Sequence, residues 1–247
     1  MPYSLFNAIH ISRQDMLARL QDLDVISNNL ANINTSGFKA NRSEFQELKS
    51  PGQMGGVTIP GTQMSTAQGA LHTTGNSLDW AIEGPGYFQV QLPNGQTGYT
   101  RNGEFHLDKD RTLTTTTGEK LIWQGAVPAT FQSVSIQPDG RVLVNQIDGT
   151  QVIAGQVRLA RFANPTGLLA NGSNIFLAGV SSGAAQLGTP GSANFGPTVS
   201  GALESSNVDI GREMTNMTID QRTFEMSVKA FQQSDEMIAM AINLRKA

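Results

Sequence analysis

The 247-residue sequence contains no cysteine. That excludes disulfide frameworks, thiolate nucleophiles and Cys-ligated metals. Charge is also scarce, at 15% of residues against a usual level of about 25%. The formal net charge of -3 leaves no basic surplus, so nucleic acid is not an expected partner. No run approaches the ~20 apolar residues of a membrane span, and no membrane insertion is expected. The N-terminal stretch MPYSLFNAIHISRQDM has neither a basic n-region nor a continuous apolar h-region. No cleaved secretory signal is therefore expected. The chain either stays in the cytosol or leaves it by another route.

Glycine is abundant instead, at 26 residues, together with many Ser, Thr, Asn and Gln. A polar but weakly charged chain of this kind suits β-structure with many turns, or a surface that packs on copies of itself.

The first segment follows a seven-residue repeat. Ile9, Met16, Leu23 and Leu30 hold one set of positions, and Leu5, Ser12, Arg19, Ile26 and Ile33 the companion set. This spacing predicts an amphipathic helix with a coiled-coil-like seam over about residues 4–34. Gly37 follows as a stop signal. Asn28, Asn29, Asn32 and Asn34 crowd its end. Asparagine is a poor helix-interior residue, yet all four avoid the seam. Asn28, Asn29 and Asn32 are read as polar contacts to neighbouring subunits, and Asn34 as either such a contact or a helix cap.

The last segment repeats the design. Ile210, Met217, Phe224, Phe231 and Ile238 form an unbroken heptad series, with Met214, Gln221, Val228, Asp235 and Ile242 as companions. The helix is expected to start near Ser206 or Asn207. Glu213 near its start, and Arg245 and Lys246 at its end, complement the helix dipole. Phe6 and Leu20 in the first helix, and Ile219, Met226 and Met240 in the second, lie off the seam. They are either one wide core-facing stripe or contacts to other chains.

Between these ends the periodicity changes to 2. YFQVQL (87–92) runs into PNG (93–95) and QTGYTR, and an Asn-Gly pair between alternating runs signals a hairpin. Further strands are expected at EFHLD, TLTT, KLIW, SVSIQ, RVLVN and GQVRLARF, with Pro138, Asp139 and Gly140 as a turn. Two stretches rich in Gly, Pro, Ser and Thr, 49–70 and 181–201, read as linkers placed symmetrically about this region. The expected fold is α+β: a discontinuous coiled-coil-like helical domain formed by the N- and C-terminal helices, plus a central all-β domain. The expected boundaries are 1–40 for the N-terminal helix, 41–75 for an extended connecting region, 76–180 for the β-rich domain, 181–204 for a linker and 205–247 for the C-terminal helix.

Catalytic patterns are sparse. His10, His72 and His106 share no metal-ligand spacing. Asp108 and Asp110 in LDKDRT lack the glycine and distal glutamate of a calcium loop. Gly84 and Gly86 in EGPGYF have no lysine or third glycine at phosphate-loop spacing, and read as a turn where backbone packs closely. Asp79 and Glu83 are a carboxylate pair of the sort a hydrolase uses, and such pairs arise in any chain of this length. A secreted oligomeric binding module, with a carbohydrate-binding β-domain on helical arms, is the alternative reading. It would rest on Trp80, Trp123, Tyr87 and Tyr99.

The run LDVISNNLANINTSGFK (23–39) resembles the N-terminal signature of the bacterial flagellar axial proteins, the rod and hook family. GALHTTGNSLDWAIEGPGYFQVQLPNGQTGYTRNGEFHLDKD (69–110) is similar to the start of that family's β-domain, and GQVRLARFANPTGLLANGSNIF (155–176) to its later part. GALESSNVDIGREMTNMTIDQRTFEMSVKAF (201–231) resembles the C-terminal signature. The segment between GFK and LDWAIEG is shorter than in a typical rod member.

The resemblance implies a structural protein, not an enzyme, with no cofactor, no metal and no catalytic residue. It implies helical self-polymerisation into the hollow rod of the flagellar basal body. That rod crosses the periplasm, transmits torque to hook and filament and serves as export channel. The implied partners are copies of the chain, other axial proteins, the surrounding P- and L-ring bushing and the flagellar type III export apparatus. On that model Ile9, Met16, Leu23, Leu30, Met217, Phe224, Phe231 and Ile238 form the seam within a subunit. Phe6, Leu20, Asn28, Asn29, Asn32, Ile219, Met226 and Met240 meet neighbouring subunits.

Overall fold

The computed structural model describes residues 2–47 and 57–244, with side chains from residue 8 to residue 243. Two compact units divide the chain. One comprises 1–32, 40–65 and 208–247, and the other 33–39 and 66–207. The fold is α+β: paired terminal helices and a β-rich middle.

In the helical unit, α1 spans Pro2–Ala31 and α2 spans Ile210–Leu244. Proline at the start of α1 is tolerated because its missing N–H would be unsatisfied there anyway. No further proline or glycine interrupts α1, and in α2 the lone glycine, Gly211, sits in the first turn. Asp209 caps α2, its Oδ1 accepting the Arg212 N–H at 3.1 Å. The helix thus begins a few residues beyond the expected Ser206 or Asn207. α1 ends at Ala31 rather than near 34, six residues before Gly37. The helices run antiparallel. Arg19 meets Asp220 and Asp15 meets Ser227, so ascending positions on one face descending positions on the other.

Residues 41–75, assigned from composition to an extended connecting region, hold an antiparallel hairpin. Strand β1 (Asn41–Glu47) pairs with β2 (Val57–Met64), with a bulge between Glu44 and Gln46. The hairpin packs on α1 in the helical unit. Met64 is buried, and Val57 and Ile59 line a groove with Leu17 and Ala18.

The β-rich unit carries an antiparallel seven-stranded sheet, whose central strands are Thr97–Thr100, Phe88–Gln91 and Lys120–Leu121. A four-stranded antiparallel sheet of Trp123–Gly125, Gln151–Val157, Arg141–Asn145 and Ser133–Ile136 shares its core. Phe88–Gln91 and Thr97–Thr100 close across the expected Asn-Gly turn, with Gln91 opposite Thr97 and Gly95 at φ 80°. The turn at Pro138–Gly140 also forms, with Gln137 and Arg141 as its closing pair. Trp80, Ile82, Phe88, Phe105, Leu113, Val134, Val142, Val144, Val157 and Leu159 fill the space between the sheets. Phe105 stands edge-on to both Trp80 and Phe88, at 5.4 and 5.3 Å between ring centres, the arrangement that the ring quadrupoles favour. Strands continue past the expected domain edges, from Leu71 to Glu204. Three of them, Gln186–Gly188, Thr198–Ser200 and Ala202–Glu204, lie in or next to the stretch read as a second linker.

Candidate functional site

The seam of the helix pair is half apolar and half polar. Ile9, Met16, Leu23 and Leu30 on α1, and Met217, Phe224, Phe231 and Ile238 on α2, are all half-buried, and Ile26 and Ala18 are fully buried. The companion positions on α2 differ from the expected set. Glu213, Asp220, Ser227 and Ser234 are withdrawn from solvent, one residue before Met214, Gln221, Val228 and Asp235, of which Val228 is half-buried as well. Met214 and Ile242 are exposed instead. The rotation has a cause on α1. Arg19 donates to Asp220 at 2.9 Å and Ser227 donates to Asp15, so polar side chains meet partners across the seam.

Burial alone pushes the Asp220 carboxyl up, and Asp22, within hydrogen-bond reach, pushes it further, to about 6, against the opposing pull of Arg19. Burial also raises Glu213 above the usual carboxylate range, with Asn29 as its hydrogen-bond donor and Asp22 as a neighbouring charge. These groups surround a cavity of about 300 Å³, closed on one side by Asn41, Arg42, Ser43 and Phe45 of β1. The Arg19 guanidinium lies 4.9 Å from the centre of the Phe45 ring.

The residues expected to meet neighbouring subunits separate into three groups. Leu20, Ile219, Met226 and Met240 are exposed on the helices, Met226 at 61%, and Ile11, Leu17, Ile210, Met214 and Ile242 share that exposure. Exposed apolar side chains repeated along both helices mark a surface with unmet burial. Asn28 is exposed too, while Asn32 donates to the Asn28 carbonyl of its own helix. Asn29 departs from the expectation. It is 1% exposed, donates to the Asn41 carbonyl at 2.7 Å and accepts the Asn41 N–H at 2.9 Å. Its amide fastens β1 to α1 and offers nothing to another chain. The side chain of Phe6, and the residues Arg245 and Lys246, lie outside the described residues.

In the β-rich unit, a second polar cluster lies where the chain enters and leaves it. Glu204 is 1% exposed. Lys39 reaches its Oε1 at 2.5 Å, the Gly69 N–H donates to the same oxygen at 3.0 Å, and Arg101 approaches Oε2 at 3.4 Å. Lys39 also donates to the Ala67 carbonyl, and Arg101 lies over the Tyr87 ring at 5.0 Å. Burial pulls the Lys39 ammonium below its ordinary range, against the pull of Glu204. Gly37 belongs to this cluster rather than to a helix stop. It has φ 68°, its N–H donates to the Glu204 carbonyl at 2.6 Å, and a Cβ there would fall 2.5 Å from the Arg101 backbone. Sequence spacing concealed the cluster, since Lys39 and Glu204 are 165 residues apart.

The remaining chemical candidates have ordinary structural partners. Asp79 is buried and accepts from Thr74 at 2.6 Å and from Asn76 at 2.9 Å. Asp108 and Arg111 close a turn between two strands, and Gly86 packs against Leu159 at φ 143°. His10, His72 and His106 are exposed, and among the described residues no group of three His, Cys, Asp or Glu could hold a metal ion. Trp80, Tyr87 and Tyr99 are buried and Trp123 is half-buried, so the four aromatics make no exposed sugar-stacking face. Among the described residues no helix is long and apolar enough to cross a membrane.

A β-rich unit with a filled core, in one chain with a pair of terminal helices that bears exposed apolar side chains, defines the class by architecture: an α+β protein with helical ends and a β-rich middle. Comparison with known proteins narrows the class. Residues 15–39 match the model of flagella basal body rod proteins, 81–144 that of the flagellar hook protein FlgE/F/G D1 domain, and 199–244 that of the flagellar basal body rod FlgEFG protein C-terminal region. The flagellar basal-body rod protein FlgG of Borreliella burgdorferi is 37% identical, over 98% of this chain and 100% of that protein. FlgG of Bacillus subtilis is 37% identical over 91% and 93% respectively, and the hook protein FlgE of Escherichia coli 25% identical over 92% and 97%. The chain belongs to the flagellar basal-body rod protein family, and it is FlgG-like; by its sequence signatures it is expected to resemble FlgG first and FlgF next.

Proposed function

We propose that copies of this chain stack helically into the hollow rod of a flagellar basal body, a shaft that crosses the periplasm, passes torque to hook and filament and leaves a central export channel. The observation that carries this reading is the set of exposed apolar side chains on both helices, Leu20, Ile219, Met226 and Met240 among them. A lone subunit leaves that area in water, and burying it releases about 25 cal/mol per Å² of apolar surface. The half-buried seam residues hold each subunit's helices together, and Asn28 and Asn32 add polar contacts between subunits. Other axial proteins continue the stack, the P- and L-rings surround it, and the subunit leaves the cytoplasm through the flagellar type III apparatus without a cleaved signal. The subunit needs no cofactor and carries out no reaction.

Electron microscopy of the purified chain at high concentration tests the reading. Hollow tubes or fibres are expected. A Phe224→Asp substitution should abolish them and motility while leaving the β-rich unit folded, because a charge in the seam splits the helix pair. Monodisperse single particles at every concentration, or normal swimming of the Phe224→Asp strain, would overturn the proposal.

A further inference from the structure

Three Asn-Gly pairs stand in the chain: Asn94-Gly95, Asn102-Gly103 and Asn171-Gly172. The fold treats them differently. Asn94 has both ends of its side-chain amide bound to Gln96, and the Gly95 N–H donates to the Leu92 carbonyl at 2.9 Å. The Asn102 side-chain oxygen accepts the Glu104 N–H at 3.0 Å. Gly103 beside it is buried so closely that a Cβ would fall 1.6 Å from the Trp80 carbonyl oxygen. Asn171 and Gly172 are both exposed. Among the described residues neither the Asn171 side-chain amide nor the Gly172 N–H has a hydrogen-bond partner, and a Cβ on Gly172 would meet open space. The pair opens a turn of left-handed backbone, with φ 84° at Gly172, 48° at Ser173 and 61° at Asn174. Asn174 donates to the Ser36 carbonyl at 2.8 Å and accepts from Thr100 at 2.9 Å, and Ile175 and Phe176 then pair with Thr100 and Tyr99.

We propose that Asn171 is a site of spontaneous covalent modification, at which the side-chain amide becomes a carboxylate and part of the product carries its main chain through the side chain. The Gly172 backbone nitrogen attacks the Asn171 Cγ. The N–Cγ bond forms, the Cγ–Nδ2 bond breaks, and ammonia leaves with the proton of the Gly172 amide. A cyclic imide remains. Water then opens one of its two C–N bonds. Opening at Cγ gives aspartate, and opening at the Asn171 main-chain carbonyl gives isoaspartate. Water is the one co-reactant, and nothing is oxidised or reduced. Glycine permits the attack, because no side chain stands beside its nitrogen and its backbone accepts the conformations that the ring imposes. At Asn94 and Asn102 the same step must first break hydrogen bonds, which holds the reacting atoms apart.

The surroundings make the change consequential. Residues 162–203 contain no Asp, Glu, Lys, Arg or His, so either product places a charge in a stretch that has none. Isoaspartate also adds a carbon to the main chain at the base of the turn. Ser173 and Asn174 are not glycine, and left-handed backbone costs them energy. A lengthened chain releases that constraint, and with it the hold of Asn174 on Ser36. The site belongs to the lone chain and does not depend on the assembly reading.

The test incubates the full wild-type chain in mildly alkaline buffer, once folded and once in urea. Peptide mass analysis follows all three Asn-Gly pairs, and labelling by an isoaspartyl methyltransferase counts the isoaspartate. In the folded chain Asn171 should convert about tenfold faster than Asn94 or Asn102, the factor that one or two hydrogen bonds to be broken would impose. In urea the three rates should draw together. Asn171→Gln should remove the first acidic species from isoelectric focusing, since glutamine would have to close a larger ring. Asn171→Asp should imitate the charge of that species with less isoaspartate label. The comparison among the three sites is made on the wild type and stands whether or not either variant folds. An Asn171 that converts no faster than Asn94 or Asn102 in the folded chain, or a lead that is undiminished in urea, overturns the proposal.

Discussion

The two units solve the burial problem in opposite ways. The β-rich unit is complete: Trp80, Phe88, Leu113, Val142, Val157 and Leu159 are shut off from water, and the sheets that bury them come from one stretch of chain. The helical unit is assembled from three stretches, and among its described residues only Ala18, Ile26 and Met64 are apolar and fully buried. Half of its α2 seam is Glu, Asp and Ser, while Met214, Ile219, Met226, Met240 and Ile242 stay outside. A sheet buries alternate residues by its geometry alone. A two-helix pair buries only a stripe, and the choice of stripe here favours polar partners. One chain can thus hold one unit stable by itself and leave the other dependent on what it meets.

The largest effect should come from breaking the complete unit. Trp80→Ala removes a ring packed on Phe105, and its Nε1 donor to the Ser77 carbonyl. A loss of about 3–5 kcal/mol is expected from the cavity alone, read as a lower urea midpoint for the near-UV aromatic signal. The helical signal at low denaturant should remain. A change under about 1 kcal/mol would contradict the picture of one shared core.

A somewhat smaller effect should follow at the Glu204 cluster. Glu204→Gln leaves the buried Lys39 without a countercharge, and removing one partner of a buried pair costs about 3–5 kcal/mol at most. The substituted amide oxygen can still accept from the Gly69 N–H, which trims the loss. Adding Lys39→Met should recover part of the stability, since only Arg101 then lacks its full partner. A double variant that adds the two single losses would show that the residues do not interact.

How much of this was readable beforehand follows the range of the interaction. The Asn94-Gly95 turn and the period-2 strands depend on neighbours, and they stand where the sequence pattern puts them. On α1, Ile26 and Ser12 sit at expected heptad positions and are buried, whereas Ala18, which is also buried, lies on neither expected set. The α2 companion set was not readable, because a count of apolar residues favours Met214 and Ile242 over Asp220 and Ser227. What selects the polar set is Arg19 and Asp15, about 200 positions away, and no spacing rule reaches that far. The β1–β2 hairpin was missed for a related reason. Strand β2, with Thr58, Pro60, Gly61 and Thr62, resembles a linker until it is seen to pair with β1. Asn29 looked like a flank residue awaiting a neighbour, and the neighbour is the backbone of Asn41.

The smallest expected effect on the lone chain is the sharpest test of the contrast. Ile219→Ser with Met226→Gln changes two exposed side chains on α2. Surface replacements away from packing usually stay within about 0.5 kcal/mol, so the urea midpoint of the monomer should hardly move. The same pair should suppress assembly at high concentration, because those side chains are the area that a neighbouring copy would cover. Sedimentation beside the unfolding curve measures both quantities on one sample. If the monomer weakens by more than about 1 kcal/mol, the stripe already packs within the subunit and the contrast between the units fails. If the monomer is unchanged and assembly proceeds, the helices meet their neighbours through another face, and the polar seam rather than the stripe sets the contact.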